Sequence, residues 1–337
     1  MDILNLNRRD KAYRKSKVLN AHSILVAFLM VVNCLCGYSQ QEKYIVLTDT
    51  LDTKNECENQ RYYVKSFTFN TKELYRKEYP VKVYNIIFPE KEGRNELLVL
   101  FSLLPDFKTG KLWESVDRSD ISGDILHLES LESLFLEPIG YGNYDIKRKF
   151  FNEYILLQEI DGKYYKSKNC LMEVFSIKKS LTVFPLFYGH LNLRQDFLTI
   201  KEFSKLYGEY YPQYLGELPI SFNAAPNYQD GWRVWKEFLS KTGKIGDKKA
   251  YHFWCAAATN IADAYDISRG VERFMYVEGL GIIAGSYDFY FRKLPHALAE
   301  SLENVPKPNN LTDEEWMENV MEEKVMLAEE LKCKVSN

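Results

Sequence analysis

The spacing of apolar residues between positions 43 and 195 predicts a series of short strands. Each run is rich in valine, isoleucine and aromatic residues and is bounded by turn residues, which is typical of an antiparallel sheet. Asp161-Gly162 separates two such runs over Tyr154–Lys166 and predicts a hairpin with a type I′ turn. The predicted strands are Tyr44–Leu47, Tyr62–Phe69, Val81–Phe88, Leu97–Leu104, Tyr154–Ile160, Leu171–Ile177 and Leu181–Phe187.

After about residue 197 the apolar residues recur at helical spacing. Thr199 and Glu202 form a capping box that starts a first helix. A second helix is predicted from Asp230, with an apolar stripe of Trp232, Trp235, Phe238 and Leu239, and a third from about Lys249 to Asp266. Thr312 caps a final amphipathic helix with an apolar face of Met317, Val320, Met321, Leu327, Ala328 and Leu331.

We therefore predict an α+β fold, with an antiparallel β-rich N-terminal half followed by a mainly helical C-terminal half. The expected organisation is a removed signal peptide over 1–39, a β-rich domain over 40–197 and a helical region over 198–305. A linker containing Pro306 and Pro308 and the final helix follow over 306–337. Whether the two halves are separate domains is left open.

The first 39 residues have the order of parts of a secretory signal peptide. A leader with six basic residues precedes the largely apolar segment Ile24–Leu35, and Gly37-Tyr38-Ser39 indicates cleavage before Gln40. The apolar segment is shorter than the roughly 20 residues that a membrane-spanning helix needs. We therefore expect export to the periplasm or the extracellular space. A lipid anchor on Cys34 or Cys36 is a less favoured alternative, because neither cysteine follows a small residue.

The mature chain is moderately acidic. Removing the six basic and two acidic residues of the leader from the totals of 44 and 47 leaves 38 and 45, a net charge of −7. Without long basic runs, the chain lacks the electrostatic signature of a nucleic-acid-binding protein or of an anionic-lipid ligand. We expect no nucleic-acid partner and no membrane span in the mature chain.

Cysteine usage points to neither a metal site nor a dense disulfide framework. The mature chain has Cys57, Cys170, Cys255 and Cys333, with no C-x-x-C, and four cysteines allow three pairings. Cys170 and Cys255 lie in apolar runs and are expected to be buried thiols, whereas Cys57 and Cys333 have charged neighbours and are the first pair to test. The histidines are isolated, so no metal or cofactor is predicted.

The predicted third helix contains the sharpest catalytic hypothesis. On a helix, His252 would lie one turn before Cys255 and could stabilise a thiolate. The segment Trp254–Asn260 resembles the nucleophile helix of papain-like cysteine hydrolases, which implies Cys255 as nucleophile with a downstream histidine, here His296. The segment departs from that family, because tryptophan precedes the cysteine and Cys255 lies inside the predicted helix. A structural helix is the favoured interpretation, with Cys255, His252 and His296 as the alternative.

Two further patterns carry little functional weight. Gly279, Gly281 and Gly285 superficially resemble a phosphate-binding loop, but no βαβ unit surrounds them, and a sharp turn or close packing explains them better. Two aromatic clusters suit either a sugar- or peptide-binding surface or a core, and we expect the core. The clusters are Tyr207, Tyr210, Tyr211 and Tyr214, and Tyr287, Phe289, Tyr290 and Phe291.

From these patterns we predict an exported, non-catalytic binding protein of the cell envelope or extracellular space. Its expected partner is a protein, a peptide or a glycan. The first alternative is a cysteine-dependent hydrolase with Cys255 as nucleophile. The second is a structural or assembly protein that acts through its C-terminal helix. The sequence leaves the ligand, the disulfide pairing and the oligomeric state open.

Overall fold

β-Sheet dominates the part of the chain that the computed structural model describes. Described are residues 42–47, 61–92, 94–135, 149–179, 189–210, 237–255, 273–292 and 311–334. All of them lie in one compact unit, Glu42–Asn337. The predicted signal peptide, the predicted strand Leu181–Phe187 and the linker prolines lie outside the described residues.

Sixteen strands, five α-helices and two 3₁₀ helices occur in the described residues. The strands of the first half are β1 (Lys43–Leu47), β2 (Tyr63–Asn70), β3 (Pro80–Phe88), β4 (Glu96–Leu104), β5 (Trp113–Val116), β6 (Asp124–His127), β7 (Lys149–Phe151), β8 (Tyr154–Ile160), β9 (Lys163–Ser167), β10 (Asn169–Lys178) and β11 (His190–Asn192). The strands of the second half are β12 (Glu237–Ile245), β13 (Lys248–Cys255), β14 (Arg273–Val277), β15 (Gly281–Gly285) and β16 (Met326–Leu327). The helices are α1 (Lys72–Tyr75), α2 (Ser130–Phe135), α3 (Ile200–Tyr210), α4 (Asp288–Phe291) and α5 (Asp313–Met321), with 3₁₀ helices at Arg118–Asp120 and Glu329–Lys334.

The strands form three sheets. Sheet I has the order β5-β9-β8-β1-β6, sheet II has the order β11-β10-β4-β3-β2 with β7 also beside β10, and sheet III has the order β12-β13-β14-β15-β16. Most neighbours are antiparallel, but β1 runs parallel to both β6 and β8, and β11 runs parallel to β10. These three pairs depart from the antiparallel pattern that was predicted for the first half.

Sheet II is the middle layer, with one face on sheet I and the other on sheet III. Successive side chains of a strand point to opposite faces, and β4 is apolar on both. Leu97, Val99, Phe101 and Leu103 join the core shared with sheet I, while Leu98, Leu100 and Leu104 join the core shared with sheet III. Burial on both faces explains why β4 reads as a nearly continuous apolar run.

The predicted hairpin over Tyr154–Lys166 is confirmed. β8 and β9 are antiparallel, with Ile160 opposite Lys163. Asp161 and Gly162 both have positive φ, 49° and 72°, as a type I′ turn requires. Glycine and aspartate tolerate this left-handed conformation better than most residues, so the two-residue loop follows from local chemistry.

The predicted helical C-terminal half is wrong. Phe238 and Leu239 lie in β12, and the first part of the predicted third helix is β13. Both sides of β13 are apolar, so helical and strand spacing fit its short run of aromatic residues equally well. The signal that favours a hairpin is Gly246-Asp247, the two-residue loop between β12 and β13, where Gly246 has a φ of 61°.

Two predicted helix starts are confirmed. The backbone N–H of Thr199 donates to Glu202 Oε2 at 2.8 Å, and the N–H of Glu202 donates to Thr199 Oγ1 at 3.1 Å. Thr312 and Glu315 form the same reciprocal cap on α5. α5 ends at Met321, however, and the chain continues as β16 and a 3₁₀ helix, so the continuous final helix is wrong.

The C-terminal segment folds back over the first half of the chain. Phe69 of β2 forms a β-bridge with Ala328, and the N–H of Thr68 donates to both carboxylate oxygens of Glu330 at 3.0 and 3.1 Å. No helix within the described residues is both long and apolar enough to cross a membrane.

Candidate functional site

A group of buried polar side chains lies where one edge of sheet II meets the first strand of sheet III. Glu237 begins β12 and is only 1% exposed. Both of its carboxylate oxygens accept from the N–H of Gly189, at 3.0 and 3.1 Å. Its carbonyl oxygen accepts from Gln195 Nε2 at 3.0 Å. Glu237 therefore ties the chain around β11 to sheet III.

An ion pair lies beside Glu237. Lys149 of β7 and Glu173 of β10 are ladder partners, and Lys149 Nζ lies 2.9 Å from Glu173 Oε1 with both side chains almost fully buried. His190, the first residue of β11 and the neighbour of Gly189, is also buried. We call Lys149, Glu173, His190 and Glu237 the Glu237 cluster.

The protonation of Glu237 is finely balanced. Burial raises the pKa of Glu237 to about 7. The backbone N–H of Gly189 and the charge of Lys149 oppose this rise, and the negative charge of Glu173 adds to it. Burial therefore outweighs the stabilisation that these hydrogen bonds and Lys149 give to the charged form.

The candidate nucleophile Cys255 lies next to this cluster. Cys255 is buried at the end of β13, as predicted, and is the ladder partner of Glu237. Side chains of such partners share a face and lie about 5 Å apart. The candidate nucleophile is thus a buried residue at the end of a strand, whereas the hypothesis placed it inside a helix.

His252 and Cys255 lie on a strand and not on the helix on which their predicted pairing was based. The two residues lie three apart on a strand, so their side chains point to opposite faces of sheet III, whereas a helix would align them. Burial, with a smaller contribution from Lys241, lowers the pKa of His252 to about 4, so this histidine is neutral at physiological pH. His296 lies outside the described residues.

A second polar group reaches the surface at one end of sheets II and III. Glu96 Oε1 accepts from the hydroxyl of Tyr276 at 2.6 Å, and Lys179 Nζ lies 2.6 Å from Glu278 Oε1. Tyr276 is fully buried, whereas Lys179 and Glu278 are about half exposed. We call Tyr63, Glu96, Lys179, Tyr276 and Glu278 the Glu96 surface.

Charges of both signs lie around Glu96, and Lys248 Nζ also lies at this end of the sheets, close to Gly279. Burial raises the pKa of Glu96, the hydroxyl of Tyr276 and the charge of Lys179 lower it, and the charges of Glu278 and Glu90 raise it further. Burial, Glu96 and Glu278 together raise the pKa of Tyr63 to about 12, so its hydroxyl stays protonated. The Glu96 surface therefore presents carboxylates beside a neutral tyrosine hydroxyl.

A third polar network is structural. Asp288 of α4 accepts from Arg273, from the Tyr75 hydroxyl at 2.6 Å and from Trp316 Nε1 at 2.9 Å. All these side chains are buried. The adjacent aromatic cluster of Tyr287, Phe289, Tyr290 and Phe291 is buried as well, which confirms its prediction as core.

The remaining sequence candidates receive structural explanations. Gly279 lies in the loop between β14 and β15, and Gly281 begins β15, both with positive φ, which confirms a sharp turn. Tyr211 and Tyr214 lie outside the described residues. No group of three or more histidine, cysteine or acidic side chains that could hold a metal ion occurs in the described ranges.

Comparison of the chain with protein-family models, with curated proteins and with solved structures finds no match. Neither the Glu237 cluster nor the Glu96 surface was predicted from the sequence, because the members of each are scattered along the chain. A buried lysine or glutamate inside an apolar strand, as at Glu173 in β10, is the signal that points to such a cluster.

Proposed function

We propose that the protein acts outside the cytosol as a non-catalytic binding protein, and that the Glu96 surface contacts its ligand. The order of basic, apolar and small residues in the leader supports export. The buried acids Asp288 and Glu237 accept hydrogen bonds from other elements of the fold, which supports a structural role for both. The binding role itself rests on one observation, the grouping of carboxylates and tyrosines in the Glu96 surface.

The charges of this surface favour a cationic ligand. One oxygen of Glu96 accepts from Tyr276, and its other oxygen accepts from no residue in the described part of the chain. Among the described groups whose charges act on Glu96, the carboxylates of Glu90 and Glu278 outnumber the lysine, Lys179. Since Glu96 is already partly desolvated, a lysine or arginine side chain of a peptide would gain an ion pair at a reduced desolvation cost. A peptide segment rich in basic residues is therefore the proposed ligand class.

The test is a binding titration with the mature chain, residues 40–337. We expect a fluorescent lysine-rich peptide to bind more tightly than a glutamate-rich peptide of equal length. Glu96→Gln should weaken binding about twofold to fivefold, since a part-exposed ion pair contributes about 0.5–1 kcal/mol. Glu159→Gln, at an exposed position of β8, is the matched control and should leave the affinity unchanged.

Two results would contradict the proposal. Equal affinity for the lysine-rich and glutamate-rich peptides would remove the electrostatic basis of recognition. Unchanged affinity in Glu96→Gln would place the ligand elsewhere on the molecule.

The cysteine-hydrolase alternative has its own test, iodoacetamide labelling of the native protein across pH. The ordinary pKa of a cysteine thiol is about 8.5. Rapid labelling of Cys255 at a pH well below this value would favour the enzyme.

A further inference from the structure

The buried Glu237 cluster is independent of the proposed binding surface and has features of a proton-linked contact. Two carboxylates, Glu173 and Glu237, lie within electrostatic range of one lysine, Lys149. Lys149 is already 2.9 Å from Glu173, so within the described residues the charge of Glu237 shares this lysine with Glu173. Burying a further negative charge there is costly, whereas burying a neutral carboxylic acid is much less so.

The position of Glu237 links its protonation to the packing of two sheets. Its carboxylate accepts from Gly189, directly before β11 of sheet II, and Glu237 itself begins β12 of sheet III. If this contact opens, water can solvate the carboxylate, and its pKa returns toward the ordinary value of 4.5. The open state therefore gains a relative advantage whenever Glu237 is ionised.

We propose that Glu237 is a pH-sensitive latch: in its neutral form it holds β11 against β12, and loss of its proton loosens that contact. The sign follows from the two protonation states. The folded form binds the proton more tightly than the open form, so stability of the contact is greatest in acid and falls as pH rises. The stability of the contact falls in a window between about pH 4.5, the ordinary pKa of a glutamate, and about pH 7, the pKa of Glu237 in the folded form.

Other titratable groups face Glu237 and must be separated from it. Lys149 comes from β7, Glu173 from β10, His190 from β11 and Cys255 from the paired strand β13. Of these, His190 is the one whose ordinary pKa also lies in the window. Glu237→Gln and His190→Asn therefore form the informative pair of variants.

The test is hydrogen exchange of the Gly189 amide in the full mature chain, expressed as a protection factor at each pH. We expect protection in the unmodified protein to fall by about tenfold per pH unit across the window and then to level off. Glu237→Gln should hold protection nearly constant, and His190→Asn should keep the fall. The Gly110 amide, which donates to the backbone carbonyl of Asp106 at 2.7 Å, is the internal control.

A second measurement does not depend on the folding of any variant. The amide resonance of Gly189 in the unmodified protein should titrate with a midpoint near pH 7, while that of Gly110 should not. Constant protection and a constant Gly189 resonance between pH 5 and 8 would overturn the proposal. A titration that persists in Glu237→Gln but disappears in His190→Asn would likewise overturn it, because the histidine would then be the sensor.

Discussion

At the residue scale, a few buried charges hold together elements that are distant in sequence. Asp288 accepts two hydrogen bonds from Arg273 at 2.7 and 3.3 Å and one each from Tyr75 and Trp316. Arg273 also donates from Nε to the carbonyl oxygen of Lys324 at 3.0 Å. The network thereby joins β14, α1, α4 and the C-terminal segment around one carboxylate.

Asp288→Asn should destabilise the fold by about 3–5 kcal/mol, because it leaves the buried Arg273 without its counter-ion. Urea unfolding of the variant and the unmodified chain measures the loss. Asp120→Asn, at an exposed position of the 3₁₀ helix Arg118–Asp120, is the control and should change stability by less than about 0.5 kcal/mol. Equal stability of the two variants would show that the Asp288 network contributes nothing to folding.

Residue types in the sequence predicted some of these sites and missed others. The burial of Cys170 and Cys255 follows from their apolar neighbours. The Glu237 cluster could not be predicted, because Lys149, Glu173 and Glu237 are far apart along the chain and meet only through packing of the sheets. A sequence shows which residues carry charge, but their burial depends on long-range contacts.

At the element scale, one asparagine contributes hydrogen bonds to the attachment of sheet III to sheet II. Asn85 of β3 donates from Nδ2 to the carbonyl oxygen of Ile282 at 3.1 Å and accepts from its N–H at 2.7 Å. The side chain thus replaces a strand neighbour for the start of β15. Gly281 permits this approach, since a Cβ there would lie 2.3 Å from Asn85 Oδ1.

Gly281→Ala and Gly110→Ala distinguish the effect of a positive φ, which both glycines have, from the effect of the close approach to Asn85, which only Gly281 permits. Both positions have positive φ, 81° and 68°, but a Cβ at Gly110 meets no atom within 4 Å. Gly110→Ala should cost about 1–2 kcal/mol from its backbone conformation alone. Gly281→Ala should cost clearly more, because Asn85 must also move. Thermal or urea unfolding measures both, and equal losses would mean that the Asn85 contact is unimportant.

The elements also show where periodicity is informative. Strands β2, β3, β4, β8 and β10 were predicted within two residues, because turn residues bound each of them. The capping boxes of α3 and α5 follow from local hydrogen bonding and were predicted too. β13 was misassigned, because a strand that is apolar on both faces loses the alternation that distinguishes it from a helix. β12 was misassigned, because Phe238 and Leu239 continue the helical spacing of Trp232 and Trp235 in the sequence.

At the scale of the whole molecule, the three sheets of the described residues stack with sheet II in the middle and enclose two apolar cores. The order of strands within each sheet comes from pairings between distant segments, as between Phe69 and Ala328. Such pairings leave no local trace in the sequence, so the layering could not be predicted. The proposed location outside the cytosol, by contrast, rests on a local pattern in the leader.

Sequencing the N-terminus of the native protein tests whether the protein acts outside the cytosol. We predict that the protein is recovered outside the cytosol and begins at Gln40. Leu29→Arg, which places a charge in the apolar segment Ile24–Leu35, should leave the protein uncleaved inside the cell. Native protein that is recovered from the cytosol with Met1 or its immediate successor at the N-terminus would contradict the account.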